Sequence, residues 1–397
     1  MHILIVSRCT PFPLYLGDRL ILYHLLRELS GRGHTFDLLA FDDRPDIPDQ
    51  RGQYADFVGH AEVFRAPLRS NGTLLGRIAL PWMRFPKAAE RAWSPEMWRA
   101  IAARRAAVTY DAAWLFGGIH VYEFARALAG LPCIITPYES YALYLKRASQ
   151  AGSPGAGAAG LARFAAGSYE GFMFSRYRAA VVVSEPDRAE ILSRWRGGDV
   201  RVIPNGIDLS AFPPPDDAPR EDGLLLFTGN YEYGPNVDAA LSLARDILPR
   251  VRQNYPAAHV ELAGHAPPES LRALAGEQVR VTGRVPRIQD ALYRAPVYVS
   301  PLRVGAGIKN KILEAMAAGC AVVATPLSMD GIDAAHEQHA LIAEPDAMPE
   351  AISRVLADAA LRARLAKNAR ALIESRYTWG VVATAYEKLF AEVTISP

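Results

Sequence analysis

Short apolar runs alternate with amphipathic stretches along this chain. Ile3 to Ser7, Phe36 to Phe41, Asp111 to Phe116, Cys133 to Thr136, Ala179 to Ser184 and Val200 to Pro204 each read as a buried strand, too short and too continuously apolar for a surface helix. Between them, Leu20 to Leu29, Tyr122 to Ala129 and Asp187 to Trp195 have helical spacing. The pattern then restarts. Strands are predicted at Leu224 to Gly229, His259 to Gly264, Val279 to Gly283, Val297 to Ser300, Ala321 to Ala324 and Leu341 to Glu344. Helices are predicted at Asn236 to Gln253, Ile288 to Arg294, Ile308 to Ala318, Met348 to Arg376 with a break near Asp358, and Trp379 to Val393. Strands apolar on both faces, separated by helices, specify parallel sheets covered on each side. The expected class is α/β with two Rossmann-like halves. The proline-rich polar run from Pro213 to Glu221 marks the junction. The domains expected are 1–208, a linker 209–222, a second domain 223–376, and a terminal helix 377–397.

The most informative stretch runs from Val297 to Ala324. A strand leads into Gly305-Ala306-Gly307, then into good helix formers stopped by Gly319, then into another strand. Such a turn sits at the carboxyl end of a parallel strand, where open α/β sheets bind ligands. Glycines admit a ligand close to the backbone, and amides at a helix start attract anions. Lys309 and Lys311 place two cations at the helix end where the dipole disfavours them, which suggests a bound diphosphate. Glu314 follows six residues after Ile308, roughly 9 Å along a helix axis, about the reach from a diphosphate to a ribose. A crossover helix with solvated lysines and an ion-paired glutamate reads the same way on this stretch alone.

Other segments add candidates and exclusions. Gly17, Asp18 and Arg19 stand before a helix at a potential anion site, but no G-x-G-x-x-G is present to indicate a dinucleotide. His120 lies in the loop after a strand, and Glu139, between Tyr138 and Tyr141, follows the next strand toward a cleft. Trp82, Met83, Phe85, Trp93, Met97 and Trp98 are interleaved with Arg84, Lys87, Arg91, Arg99, Arg104 and Arg105, a mixture that suits an anionic membrane surface, an acceptor groove or a core. Gly152 to Gly160 reads as a mobile loop. His336-Glu-Gln-His339 lacks the spacing of a zinc helix and reads as a turn, and no D-x-D triplet, G-x-S-x-G elbow or phosphate loop of the G-x-x-x-x-G-K type occurs. With 44 basic and 42 acidic residues, nucleic acid is not an expected partner. Cys9, Cys133 and Cys320 have no zinc spacing and are expected as reduced thiols of a cytoplasmic protein. Met1 to Ser7 reads as a strand rather than a signal peptide, and no apolar run is long enough to span a bilayer.

These pieces resemble the retaining nucleotide-sugar glycosyltransferases of family 4, which have the two-domain GT-B fold. The matching residues are Pro11-Phe-Pro, Gly17-Asp-Arg19, His24-Leu-Leu-Arg27, Val202-Ile-Pro-Asn-Gly-Ile-Asp208, Phe227-Thr-Gly-Asn-Tyr231, Pro235-Asn236, Gly283-Arg-Val285 and the run from Gly305 to Gly319. The Gly-Asn-Tyr and Gly-Ile-Lys-Asn-Lys variants resemble the branch of bacterial exopolysaccharide biosynthesis. The resemblance implies two Rossmann-like domains facing a cleft and a terminal helix that crosses back to the first. It implies a donor diphosphate at Gly305, Ala306 and Gly307, a ribose on Glu314, a base near the backbone of Arg284, and close approach at Gly17. Gly229 and Asn230 fall on the donor side, with Asn230 where the family usually has an arginine. Ala306 stands where the family often has a second glutamate, and Lys309 where it has a glycine.

The expected function is metal-independent, retaining transfer of a sugar from a nucleotide-diphosphate sugar to a glycan, lipid-linked or small-molecule acceptor, with no cofactor. Arg303, Lys309 and Lys311 would neutralise the diphosphate. Arg19, His120 and Glu139 would serve the acceptor and sugar side. A nucleotide-sugar 2-epimerase and a catalytically silent binding partner are the rival expectations. The expected location is cytoplasmic, with peripheral contact to an anionic membrane face.

Overall fold

The structure is a computed structural model that describes all residues except 15–16, 43–49, 69–75, 77–84, 119–120, 151–155, 215–219 and 396–397, with 156–161 described by their backbone only. The chain divides into two compact units, Met1–Pro204 with Val382–Pro397, and Asn205–Val381.

In the first unit the described strands are β1 (His2–Ser7), β2 (Thr35–Asp42), β3 (His60–Arg65), β4 (Ala112–Phe116), β5 (Cys133–Tyr138), β6 (Ala179–Val182) and β7 (Val200–Val202). They form one parallel sheet in the order β3-β2-β1-β4-β5-β6-β7. Ile3 to Val6 are wholly buried, which is why β1 is apolar without alternation. The order reverses direction between β1 and β4, and the crevice of such a sheet opens there, beyond the strand ends.

Several elements differ from the sequence expectation. Tyr122 to Ala129 is a 3-10 helix, Tyr122–Arg126, rather than an α-helix. Strand β3 and the helices Pro95–Ala107 and Tyr141–Gln150 lie where the pattern was not legible. Of the expected mobile loop, residues 156–160 open the helix Ala156–Phe174, and 152–155 lie outside the described residues. Two glycines of that helix allow close packing: a Cβ at Gly171 would stand 3.2 Å, and one at Gly167 3.4 Å, from the side chain of Arg194. Within the aromatic and basic stretch, Met97 is wholly buried, Phe85 belongs to the same core, and Trp93 and Trp98 pack against it. Trp82, Met83 and Arg84 lie outside the described residues.

The terminal helix Trp379–Ile395 gives its residues from Val382 onward to the first unit. Val382, Ala383, Tyr386, Leu389, Phe390 and Val393 are buried at helical spacing. Tyr386 and Phe390 meet Trp114 of β4 with ring centroids 5.1 and 5.7 Å apart. Arg32 adds bonds to Thr384 at 2.8 Å and Glu387 at 3.1 Å. Each large apolar side chain so buried contributes about 1.5–3 kcal/mol.

Gly117, just past β4, has φ +106°, and a Cβ there would lie 2.1 Å from Cγ of Arg8. Arg8 in turn pairs with Asp18 at 3.0 Å. Gly117→Ala is expected to lower stability by about 1–3 kcal/mol through left-handed strain and displacement of Arg8. Thermal unfolding checks this, and an unchanged transition would show that the loop relaxes freely.

The second unit repeats the plan with β8 (Leu224–Thr228), β9 (His259–Ala263), β10 (Val279–Gly283), β11 (Val297–Ser300), β12 (Ala321–Ala324) and β13 (Leu341–Ile342). The order is β10-β9-β8-β11-β12-β13, all parallel. The single helix expected from Asn236 to Gln253 is three pieces: Gly234–Ser242, a π turn Leu243–Ile247 and Leu248–Asn254. Pro249 explains the π turn, since it has no N–H to donate and its ring crowds the carbonyl four residues back. Asp358 breaks the later helix as expected, accepting from the N–H of Leu361 at 2.9 Å. Around His336 to His339 both imidazoles accept backbone N–H groups in a turn, His339 from Ala335 at 3.0 Å and His336 from Ile342 at 2.9 Å.

Candidate functional site

The order of the second sheet reverses between β8 and β11, so the segments leaving those two strands define its crevice. After β11 the chain is pinned by buried hydroxyls. Thr325 donates to the carbonyl of Leu302 at 2.7 Å, and Ser328 donates to the carbonyl of Ser300 at 2.8 Å. The turn follows with Gly305 at φ +140° and Gly307 at φ +67°, conformations that favour glycine. The next helix is Asn310–Ala317, two residues later than the sequence suggests. Gly307 in the left-handed region and Lys309 at φ −100°, ψ 92° keep helical geometry from starting sooner. Lys309 is therefore the N-cap residue, and only Lys311 lies in the first turn. The far end closes as expected: Cys320 N–H donates to Ala315 at 2.9 Å and Gly319 N–H to Met316 at 3.1 Å, with Gly319 at φ +72°.

The two lysines behave differently. Lys309 is buried, and its ammonium bends back to donate to the carbonyls of Ala306, at 3.0 Å, and Gly307. It thereby cross-links the turn. A Cβ on Gly305 would meet Lys309 Cε and the Tyr233 hydroxyl, each at 3.7 Å, so a side chain there would fill the space between turn and tyrosine. Lys311 donates to the Asn236 side-chain oxygen and stands 5.0 Å from the centroid of the Phe227 ring, within cation–π range. Burial, then the charge of Lys309, pull the Lys311 ammonium down to about 7, against the attraction of Glu314. Burial pushes the Glu314 carboxyl up to about 7, against the attraction of Lys311. A carboxyl and an amine that both titrate near neutrality beside a glycine turn form a site that accepts polar, anionic chemistry.

Other predicted residues have definite places. Ala306 is buried in the turn. Arg303 is exposed and forms a two-pronged ion pair with Asp238 at 2.5 and 3.0 Å. Gly229, after β8, packs against Asn236, whose side-chain amide would stand 3.1 Å from a Cβ at Gly229, and Gly264 in turn packs on Gly229, where a Cβ at Gly264 would lie 1.7 Å from the Gly229 carbonyl oxygen. Asn230 accepts from the N–H of Glu232 at 3.1 Å. Arg284 is exposed directly after β10. Gly229, Asn230, Gly305, Ala306, Gly307, Lys309, Lys311 and Glu314 thus all belong to the second unit, around the ends of β8 and β11.

Gly17, Arg19 and Glu139 belong to the first unit. Gly17 opens the helix Gly17–Gly31 and is exposed. Arg19 is buried, and its guanidinium donates to the carbonyls of Thr10 at 3.2 Å and Phe12 at 3.1 Å and pairs with Asp42 at 3.3 Å. Glu139 is exposed beyond β5, and Ser140 beside it is clamped by buried carboxylates, donating to Asp187 from its N–H and to Glu170 from its hydroxyl, each at 2.9 Å. Burial pushes the Glu170 carboxyl up to about 7. Tyr138 holds φ +71°, rare for a residue with a side chain. His120 lies outside the described residues.

Sequence reading missed the parts played by Asn236, Tyr233 and Asp238. The available signal was Asn236 itself, a poor helix former placed one residue after Pro235 in a first turn. The Pro-Asn-Gly-Ile-Asp run is accounted for locally. Asn205 donates to Asn310 at 2.8 Å, Ile207 N–H to Tyr377 at 2.7 Å, and a Cβ on Gly206 would strike the Trp379 ring at 2.6 Å.

Known proteins share this organisation. Residues 20–211 match the family described as Glycosyltransferase Family 4, and residues 222–358 match Glycosyl transferases group 1. A phosphatidyl-myo-inositol mannosyltransferase from Mycobacterium tuberculosis is 31% identical over 228 residues, spanning 52% of this chain and 58% of that protein. Among solved structures, a sucrose-phosphate synthase from Thermosynechococcus elongatus superposes with TM-score 0.73 at 18% identity, covering 99% of this chain and 98% of that one. HepE from Anabaena, solved in complex with UDP, superposes with TM-score 0.66 at 15% identity, covering 99% and 100%. With a glycosyltransferase family model matched on each of its two parallel-sheet units, and solved structures superposing over nearly its full length, this chain has the two-domain GT-B fold and is similar across both units to family 4 type glycosyltransferases.

Proposed function

We propose that the protein transfers a sugar, with retention of configuration, from a nucleotide-diphosphate sugar to a glycan or lipid-linked acceptor. The observation that carries this reading is the Gly305–Gly307 turn tied by Lys309, with Lys311 and Glu314 on the helix behind it. The diphosphate would lie on the turn amides and Lys311, and the ribose hydroxyls would donate to Glu314. Departure of the nucleoside diphosphate builds negative charge, and preorganised cations and amides stabilise it without reorganising. In this reading these groups take the place of a divalent cation, so transfer proceeds in a chelator. Arg303 adds charge only by leaving Asp238. On the first unit, Gly17 and Glu139 would serve the acceptor and sugar, with His120, and Arg19 would act by shaping the loop through Thr10 and Phe12. The names of the mannosyltransferase relatives support a lipid-linked acceptor, and UDP in HepE supports a uridine donor. Contact with an anionic membrane face fits such an acceptor. Among the described residues, no helix is long and apolar enough to cross a membrane.

The test is a panel of UDP-, GDP- and ADP-sugars offered with and without glycan and lipid acceptors, in the presence of EDTA. The expected result is one donor consumed, with the donor's anomeric configuration kept in the product by NMR. Epimerised nucleotide sugar without acceptor, or no turnover of any donor, would overturn the reading.

A further inference from the structure

We propose that Asn236 is the positioning residue of this site: its side-chain amide locks Lys311 to the backbone of the loop after β8, so that cation and loop meet the diphosphate as one piece. The inference rests on the nucleotide-sugar reading and adds a residue and a mechanism to it. Asn236 is 6% exposed, in the first turn of the helix Gly234–Ser242. Its oxygen accepts from the Lys311 ammonium, and its nitrogen donates to the carbonyl of Asn230 at 2.8 Å. The two partners leave one orientation of the amide, because an ammonium only donates and a carbonyl only accepts. Its own N–H is tied to the carbonyl of Tyr233 at 2.9 Å, so the side chain starts from a fixed backbone. A single buried amide thus joins the segments leaving β8 and β11, which are 75 residues apart.

Lys311 is faced by Lys309 from the turn, by Glu314 from its own helix, by Asn236 and by the Phe227 ring of β8. Tyr298 of β11 interacts with Glu314. Among these, Asn236 is the neutral dipole whose oxygen is aimed at the ammonium. It favours the charged lysine without cancelling the charge that a diphosphate needs. A leucine there would remove that help, and an aspartate would keep the ammonium charged but neutralise it.

The experiment is calorimetric binding of UDP, GDP and ADP to wild type, Asn236→Leu and Asn236→Asp between pH 6 and 9.5, with thermal unfolding of each protein. For the preferred nucleotide, wild-type affinity should hold to about pH 7 and then fall about tenfold per unit as Lys311 loses its proton. Asn236→Leu should begin this fall at least about one unit lower and bind about tenfold more weakly at pH 7.5. Asn236→Asp should bind more weakly than wild type at pH 7 and begin its fall at least about one unit higher. A residue that only closed the loop would weaken binding equally at every pH, and an unmoved onset in Asn236→Asp overturns the proposal even if Asn236→Leu does not fold. Binding of none of the three nucleotides by wild type would instead overturn the donor reading, and this inference with it.

Discussion

Lys309→Met is expected to lower kcat/KM for sugar transfer by about 10²–10³-fold, the loss that follows removal of one preorganised donor from a charge-stabilising site. The variant keeps the buried stem and removes only the ammonium. In the structure that ammonium holds the carbonyls of Ala306 and Gly307. With both carbonyls drawn toward the lysine, the turn is fixed from behind, and its charge stays close to whatever lies on the glycines. Both effects grow as the leaving diphosphate gains charge, so kcat should fall more than KM rises. Lys309→Arg should not rescue it, because a planar guanidinium does not replace a compact ammonium between two carbonyls of one tight turn. Steady-state kinetics for transfer and for donor hydrolysis, with circular dichroism to check the fold, provide the measurement. Wild-type kcat in Lys309→Met would end the role assigned to this residue.

What the sequence shows of this molecule is its local part. Most strands are legible because they are apolar on both faces, as β1 and β4 illustrate, whereas the half-exposed, charged β3 was not. Gly319 is legible because a left-handed cap is a property of one residue and the turn before it. The start of the helix at Asn310 was not, since good helix formers at Ile308 and Lys309 hide the turn geometry that Gly307 imposes. Long-range polar partners were not legible either. Nothing in the order of residues says that Lys311 reaches Asn236 rather than solvent, or that Arg303 meets Asp238 across 65 positions. Arg19 makes the same point in reverse: an arginine beside a glycine at a helix start suggests a ligand, yet it faces Thr10, Phe12 and Asp42 of its own unit. The helix Ala156–Phe174 was hidden by glycines that serve its packing against Arg194.

Glu314→Gln is expected to lower kcat/KM by about 10–100-fold and, at the same time, to stabilise the protein at pH 8. Glutamine keeps the size of the side chain but accepts the two ribose hydroxyls less well than a carboxylate, the loss expected for charge-assisted hydrogen bonds. The stability gain follows from burial, which raises the carboxyl from 4.5 to about 7 in the folded protein. The unfolded chain releases this proton first, so folding loses stability as pH rises from about 4.5, and the loss is complete above about 7. Glutamine does not titrate and escapes the loss. Lys311, drawn down to about 7, is mostly neutral at pH 8 and does not suffer from the missing partner. The difference between variant and wild type should therefore be absent near pH 4.5, grow toward pH 7 and level off, at about 1–3 kcal/mol. Thermal unfolding at pH 5 and pH 8 measures it, and binding of UDP against 2′,3′-dideoxy-UDP measures the ribose contact in the same proteins. Wild type should prefer the ribonucleotide about tenfold or more, and the variant should lose most of that preference. A variant that kept the preference would show that the ribose lies elsewhere. One that lost it without gaining stability at pH 8 would show that the carboxylate's charge is already compensated in the free protein, and that donor binding does not have to overcome its burial.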